Sequence, residues 1–168
     1  SKNGKIFSLN KEFKPGKSRF NICDSLDYFF KNNKYDIVHV HSGSISILGI
    51  FSYYAKRNGV KKVIVHSHAS IEHKSIKNTI LRYLCSIVLN RWADIYCACS
   101  VAAGEAKYTN SVVKNKLKII KNGINLDKFA YAENTRKIMR DFLKISDEDF
   151  VIGHVGRFSE EKNHKFII

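Results

Sequence analysis

Two rhythms of apolar residues alternate along this chain. Between residues 19 and 32, Phe20, Ile22, Cys23, Leu26, Phe29 and Phe30 return at helical spacing, and Asn32-Asn33 reads as the stop. Residues 36–41 switch to strand alternation, with Val38 and Val40 on one face and His39 and His41 on the other. Ser42-Gly43-Ser44 is a turn and N-cap for a helix over 45–57, which Asn58-Gly59 ends. The same alternation predicts a strand at 63–67, a helix at 74–90, a strand at 94–99, a short helix at 102–108 and a strand at 116–120. A helix at 134–143 follows, carrying Ile138, Met139, Phe142 and Leu143. Shorter strands are predicted at 5–9 and 150–155, and helical spacing resumes near Lys162. Loops separate these elements at 11–18, which holds Pro15 and Gly16, and at 68–73. Asn122-Gly123 is a turn signal before an irregular connector at 126–132. Strands alternating with helices predict an α/β fold with a parallel sheet.

Charge alters this picture most. The 168 residues suit one domain, or one domain and part of another, and a 44% hydrophobic content argues a packed core rather than disorder. A formal charge of +14 predicts anionic partners: nucleic acid, an acidic membrane face or phosphorylated substrates. The four cysteines, Cys23, Cys85, Cys97 and Cys99, form no CxxC pair and read as reduced thiols. No Cys/His cluster has structural zinc spacing, although a zinc site drawing on the seven histidines stays open. No apolar run reaches the roughly 18–20 residues of a membrane span, and no signal peptide is visible, so a cytoplasmic location is expected. The start on Ser-Lys-Asn-Gly and the stop on Ile167-Ile168, inside a helical pattern, suggest a piece of a longer protein.

Parallel sheets gather ligands at the carboxyl ends of their strands. Here those ends carry His41-Ser42, Ser67-His68, Ser100 and Gly156-Arg157, which would line one rim. His66 shares a face with His68 and supports it. After the strand at 150–155, Gly156 admits a close approach, and Arg157 and Lys162 flank a polar loop. A glycine turn before a helix start can seat an anion, although a surface turn with two solvated cations has the same appearance. The helix at 74–90 sets Ile76, Ile80, Leu81, Leu84, Ile87 and Val88 against Lys74, Lys77, Arg82 and, just beyond it, Arg91. It reads as core-packed with a solvated basic face, or as a patch against anionic lipid.

Five ordered segments resemble glycosyltransferase family 4, of the GT-B fold and the capsular or exopolysaccharide type. They are YDIVHVHS (35–42), VKKVIVHSHAS (60–70), ADIYCACSVAAGEAKY (93–108), KIIKNGINLDKF (118–129) and GHVGRFSEEKNH (153–164). The resemblance implies a Rossmann-like acceptor domain, incomplete, over 1–121, a connector over 122–133, and the start of the donor-binding domain, with its first strand, over 134–168. It implies a retaining transferase that moves a sugar from a UDP- or GDP-linked donor to a glycan or lipid-diphosphate acceptor in surface polysaccharide synthesis. His68 matches the family's histidine that lines the cleft and contacts acceptor or transferred sugar, with Ser67, His41 and Ser100 on the acceptor-side rim. Gly156, Arg157 and Lys162 match the group that holds the donor diphosphate, which needs no metal and no cofactor. Asn122 and Gly123 match the turn into the hinge. The resemblance further implies peripheral contact with an anionic inner membrane face and no specific nucleic acid.

The family's glycine-rich amino-terminal loop and the Glu-seven residues-Glu element of its donor domain are missing from these residues. This stretch alone is therefore expected to be inactive. The rival readings are a noncatalytic basic nucleic-acid-binding module, supported by the charge and the aromatic residues, and another GT-B enzyme such as an epimerase or phosphorylase.

Overall fold

The computed structural model describes residues 4–9, 19–69 and 76–168, setting aside the side chains at 19, 20, 76–79, 81 and 161. The loop expected at 11–18 and most of the one at 68–73 lie outside the described residues, as do the side chains of Phe20, Lys74, Ile76, Lys77 and Leu81. The chain divides into two compact units, Ser1–Gly123 and Ile124–Ile168.

The first unit is built on four parallel strands: β1 (Ile37–Ser42), β2 (Lys62–Ser67), β3 (Ile95–Ala98) and β4 (Leu117–Ile119), in the order β1-β2-β3-β4. A one-turn 3-10 helix, Arg19–Ile22, leads into α1 (Cys23–Asn32), and α2 (Ile45–Arg57) and α3 (Ile76–Trp92) make the next two crossovers. The stretch expected as one helix at 102–108 is shorter, α4 (Val101–Glu105), and a helix that periodicity missed, α5 (Asn110–Asn115), follows it. Gly59 ends α2 with φ +89°, a left-handed turn that glycine adopts without a Cβ penalty.

Register sorts the side chains between the two faces. Val40 pairs with Val65, Val65 with Tyr96 and Tyr96 with Leu117, and this face meets Leu26, Phe30, Leu48, Ala55 and Leu89 of the helices. Burying each large aliphatic side chain contributes about 1.5–3 kcal/mol. The residues between them, His39, His41 and His66, therefore point to the opposite face, because successive strand side chains alternate. Tyr108 adds a buried polar staple: its hydroxyl lies 2.8 Å from the Cys97 carbonyl, to which it donates, and 3.3 Å from that of Val65.

Asp94 joins three elements. Its Oδ2 accepts from the Lys56 ammonium of α2 at 2.7 Å and from the Val63 backbone N–H of β2 at 2.7 Å. Burial raises its pKa, but the Lys56 and Val63 hydrogen bonds outweigh this and hold the carboxyl below its ordinary value. Asp94→Ala is expected to lower unfolding stability by about 1–2 kcal/mol, a value reduced by partial exposure, as read in urea denaturation. Because the folded pKa is depressed, the stabilisation is present above the unfolded carboxylate range and is lost as pH falls through the folded value. An unchanged urea midpoint would count against this anchor.

Three expectations of regular structure fail. Residues 5–9 form no strand: Ile6 is almost fully exposed, and no described strand pairs with the segment. Residues 150–155 likewise form no ladder, and Phe150 and Val155 are exposed. Both segments have strand composition, but a strand exists only where a neighbour satisfies its backbone groups. Asn122-Gly123 forms no turn; the segment is irregular, and Gly123 lies outside the left-handed region.

The apolar stripe of α3 is also not where core packing would put it. Ile80, Tyr83, Leu84, Ile87 and Val88 are exposed, whereas Ser86 and Leu89 are the buried side. The stripe is a helical face, but a different face of α3 is the buried one. No helix among the described residues is long and apolar enough to cross a membrane.

The second unit holds a 3-10 turn, Leu126–Phe129, then α6 (Glu133–Leu143), a 3-10 turn Glu160–Lys162 and α7 (His164–Ile167). Lys144 caps α6 in the left-handed region, and Arg136 holds Asp147 at 2.7 Å.

Candidate active site

The backbone ladder aligns the strand ends of the first unit along one rim. His68 donates its backbone N–H to the Ser42 carbonyl at 3.3 Å, Cys99 to that of Ser67 at 3.0 Å and Ile120 to that of Ala98 at 2.9 Å. On this rim His41 and His68 meet: His41 Nδ1 lies 2.8 Å from His68 Nε2, so one ring donates and the other accepts. Both are exposed. Two imidazolium rings could not make this bond, since both would be donors.

His41 pairs with His66 in register, and the imidazoles pack as a group. Ring centroids are 4.0 Å apart for His39 and His41, 4.9 Å for His41 and His66, and 4.3 Å for His66 and His68. His66 is buried at 4% exposure, and neither of its ring nitrogens has a hydrogen-bond partner among the described residues. Burial, then the neighbouring imidazoles, push its pKa down, opposed by the nearby Ile120 backbone. Burial also lowers the pKa of His39 and His41, with neighbouring histidines adding to it. These rings favour the neutral state in the folded chain. The unfolded chain, with ordinary histidine pKa values near 6.5, then binds more protons as pH falls. Stability is expected to drop from about pH 7 toward about pH 5, measured as the urea midpoint with a chelator present. His66→Asn should flatten that slope, and a midpoint that holds constant or rises on acidification would refute the account.

The other rim residues differ from expectation. Ser67 is fully buried on the helix face, where its hydroxyl donates to the Ala103 carbonyl at 2.6 Å, so it ties β2 to α4 and is not a rim group. It precedes His68 by one position, and strand alternation turns it the other way. Ser100 is exposed and caps α4, its Oγ accepting from the Ala103 N–H at 3.1 Å. Gly43 was missed as a site neighbour. A Cβ on it would lie 2.9 Å from Ala69 Cβ, beside His68, so only glycine lets the β1–α2 turn approach here.

In the second unit, Gly156 and Lys162 come together. A Cβ on Gly156 would meet Lys162 Cγ at 3.3 Å and His154 Nε2 at 3.2 Å. Arg157 and Lys162 are both exposed. Lys162 ends a 3-10 turn rather than opening a helix, and α7 has only four residues. Any grip on an anion therefore rests on the two cations and not on a helix dipole. Asn122 and Gly123 are exposed, and the boundary between the compact units falls directly after Gly123.

Comparison with known proteins assigns the family. The family model Glycosyltransferase Family 4 matches residues 8–128. The chain is 31% identical over 152 residues to the UDP-Gal:alpha-D-GlcNAc-diphosphoundecaprenol alpha-1,3-galactosyltransferase of Escherichia coli, covering 83% of this chain and 36% of that protein. It is 29% identical over 146 residues to EpsF of Bacillus subtilis, with 82% and 36% covered. It thus spans little more than a third of the length of these relatives. The crystal structure of Anabaena HepE, in complex with UDP-glucose, superposes with a TM-score of 0.65 at 18% identity, over 89% of this chain and 40% of that one, and shows the same fold. With the family model matching well over half of its residues, the chain belongs to glycosyltransferase family 4.

Proposed function

We propose that this chain is the acceptor-side part of a retaining glycosyltransferase, with the first part of a donor-binding domain. The acceptor-side domain runs over 1–121, the connector over 122–133 and the donor side from 134. The observation that carries the reading is His68, exposed at the carboxyl rim of a parallel sheet and held there by His41 at 2.8 Å. A histidine so placed can contact an acceptor hydroxyl or the transferred sugar. Arg157 and Lys162 would hold the donor diphosphate, with Gly156 admitting it. Their cations would stabilise the charge that grows on the leaving nucleotide, a role that fixed charges serve well in a closed cleft. No metal is needed for that step.

The donor is a UDP- or GDP-sugar and the acceptor a glycan or lipid diphosphate. The relative named for a diphosphoundecaprenol acceptor supports the lipid form. The test is transfer by the protein that carries this chain, offered UDP- and GDP-sugars with a lipid-diphosphate acceptor, with product anomers assigned by NMR. Retained configuration supports the reading; inverted configuration, or no transfer from any sugar nucleotide, refutes it.

The exposed stripe on α3, together with the +14 charge, supports peripheral contact with an anionic membrane. The double variant Leu84→Asp/Ile87→Asp is expected to weaken cosedimentation with phosphatidylglycerol vesicles about tenfold or more, since each side chain contributes over 1 kcal/mol when buried. Equal cosedimentation of variant and wild type would remove the membrane from the proposal.

A further inference from the structure

We propose that His39, His41 and His66 form a binding site for a first-row transition-metal dication of the zinc type. The inference does not rest on the transfer reading or on the diphosphate group in the second unit, although the site shares His41 with the rim. It arises from topology. His39 and His41 alternate onto one face of β1, and the parallel register sets His66 of β2 directly beside His41. One ring nitrogen from each of the three lies within 4.8 Å of the others. A tetrahedral zinc with bonds of about 2.0–2.1 Å holds its ligand atoms about 3.4 Å apart. Ring rotation of about an ångström at the nitrogens closes that gap, and the exposure of His39 and His41 leaves them room to move.

The second observation is His66 itself. It is a buried imidazole, stacked among the others, and neither nitrogen has a hydrogen-bond partner of good geometry, although the Ile120 backbone lies close to the ring. Buried polar atoms are nearly always satisfied, and one that is not asks for a ligand. A metal ion on one nitrogen would satisfy it. The donor set then selects the ion. Three imidazole nitrogens and no carboxylate suit zinc, copper, nickel or cobalt and not magnesium or calcium. Three protein ligands leave a fourth position open to water or a small anion.

His68 completes the arrangement from outside. A metal-bound histidine usually donates its other ring N–H to a partner that fixes its orientation. His41 can bind metal through Nε2 while its Nδ1 donates to His68 Nε2 at 2.8 Å. Occupancy would commit His68 Nε2 to that bond, so a bound metal would restrain the residue proposed to face the sugar. His68 is a positioning residue for the metal and not a ligand.

The experiment is a Co²⁺ titration of the protein that carries this chain after chelator treatment, read by visible absorption, with Zn²⁺ competition for affinity. The expected result is a d–d spectrum saturating at one equivalent, displaced by Zn²⁺. It should lack thiolate-to-cobalt charge transfer, because the free cysteines Cys23, Cys85, Cys97 and Cys99 take no part. His39→Ala, an exposed position whose far-UV circular dichroism should match the wild type, is expected to lose more than tenfold in affinity, and His68→Ala about tenfold. His66→Asn serves as the second ligand variant. Three outcomes overturn the proposal: no saturating spectrum with folded wild type, a strong thiolate charge-transfer band, or a spectrum that His39→Ala and His66→Asn leave unchanged. None bears on sugar transfer, which the donor screen decides separately.

Discussion

Replacing Lys162 with alanine is expected to lower turnover about 10²–10³-fold in the protein that carries this chain, the range for removing one preorganised group that stabilises transition-state charge. The leaving nucleotide diphosphate gains negative charge as the glycosidic bond breaks, so a cation there works harder in the transition state than in the ground state. The loss should therefore fall mainly on kcat, with a smaller rise in donor KM. Lys162 is exposed, and surface substitutions usually move stability by no more than about 0.5 kcal/mol, so the thermal midpoint should hold. Lys162→Arg should recover part of the rate, since it restores charge but not the compact ammonium. A kcat for Lys162→Ala equal to the wild type's would remove the diphosphate assignment, whatever becomes of His68.

The sheet was legible because its strands carry their own faces. Val38 and Val40 against His39 and His41 specify one buried side and one polar side, and α2 begins and ends where Ser44 and Gly59 say it should. Residues 5–9 and 150–155 show where this reasoning fails. Their composition is that of strands, but a strand is a property of two segments, and no described partner lies beside either one. The α3 stripe fails differently. Periodicity identifies an apolar face without saying what it faces, and here Leu89 and Ser86 on another side are the buried ones.

The candidate site was half legible. His68 and His41 could be placed on a rim from strand ends alone, and the 2.8 Å contact between them is what the fold added. Ser67 was misplaced because its neighbour's orientation was extended to it, although adjacent strand residues face opposite ways. The sequence carries no zinc-ligand spacing here, since ligands on separate strands have none that is characteristic. Only the register of His41 with His66 brings the three imidazoles together. A signal was available: histidine at every second position of one strand, and again on the next, is unusual for a face meant only to pack.

His68→Ala should lower kcat about 10²-fold or more in the same protein if the ring exchanges a proton with acceptor or leaving group, which is the usual range for a positioned acid or base. Its side chain is exposed and leaves no core cavity when removed, so unfolding midpoints should scarcely change. His41→Ala should cost less, because it removes the partner that aims His68 and leaves the ring itself. The two variants also differ in pH dependence. With His41 present, protonating both rings breaks their shared bond, so activity should fall on the acid side as the pair gains its second proton. Without His41 there is no shared bond to break, so that limb should be lost. A common pH profile for wild type and His41→Ala would show that the pair does not act as a unit. A His68→Ala enzyme with undiminished kcat would return His68 to the status of a loop histidine and leave the second unit's cations to account for the chemistry.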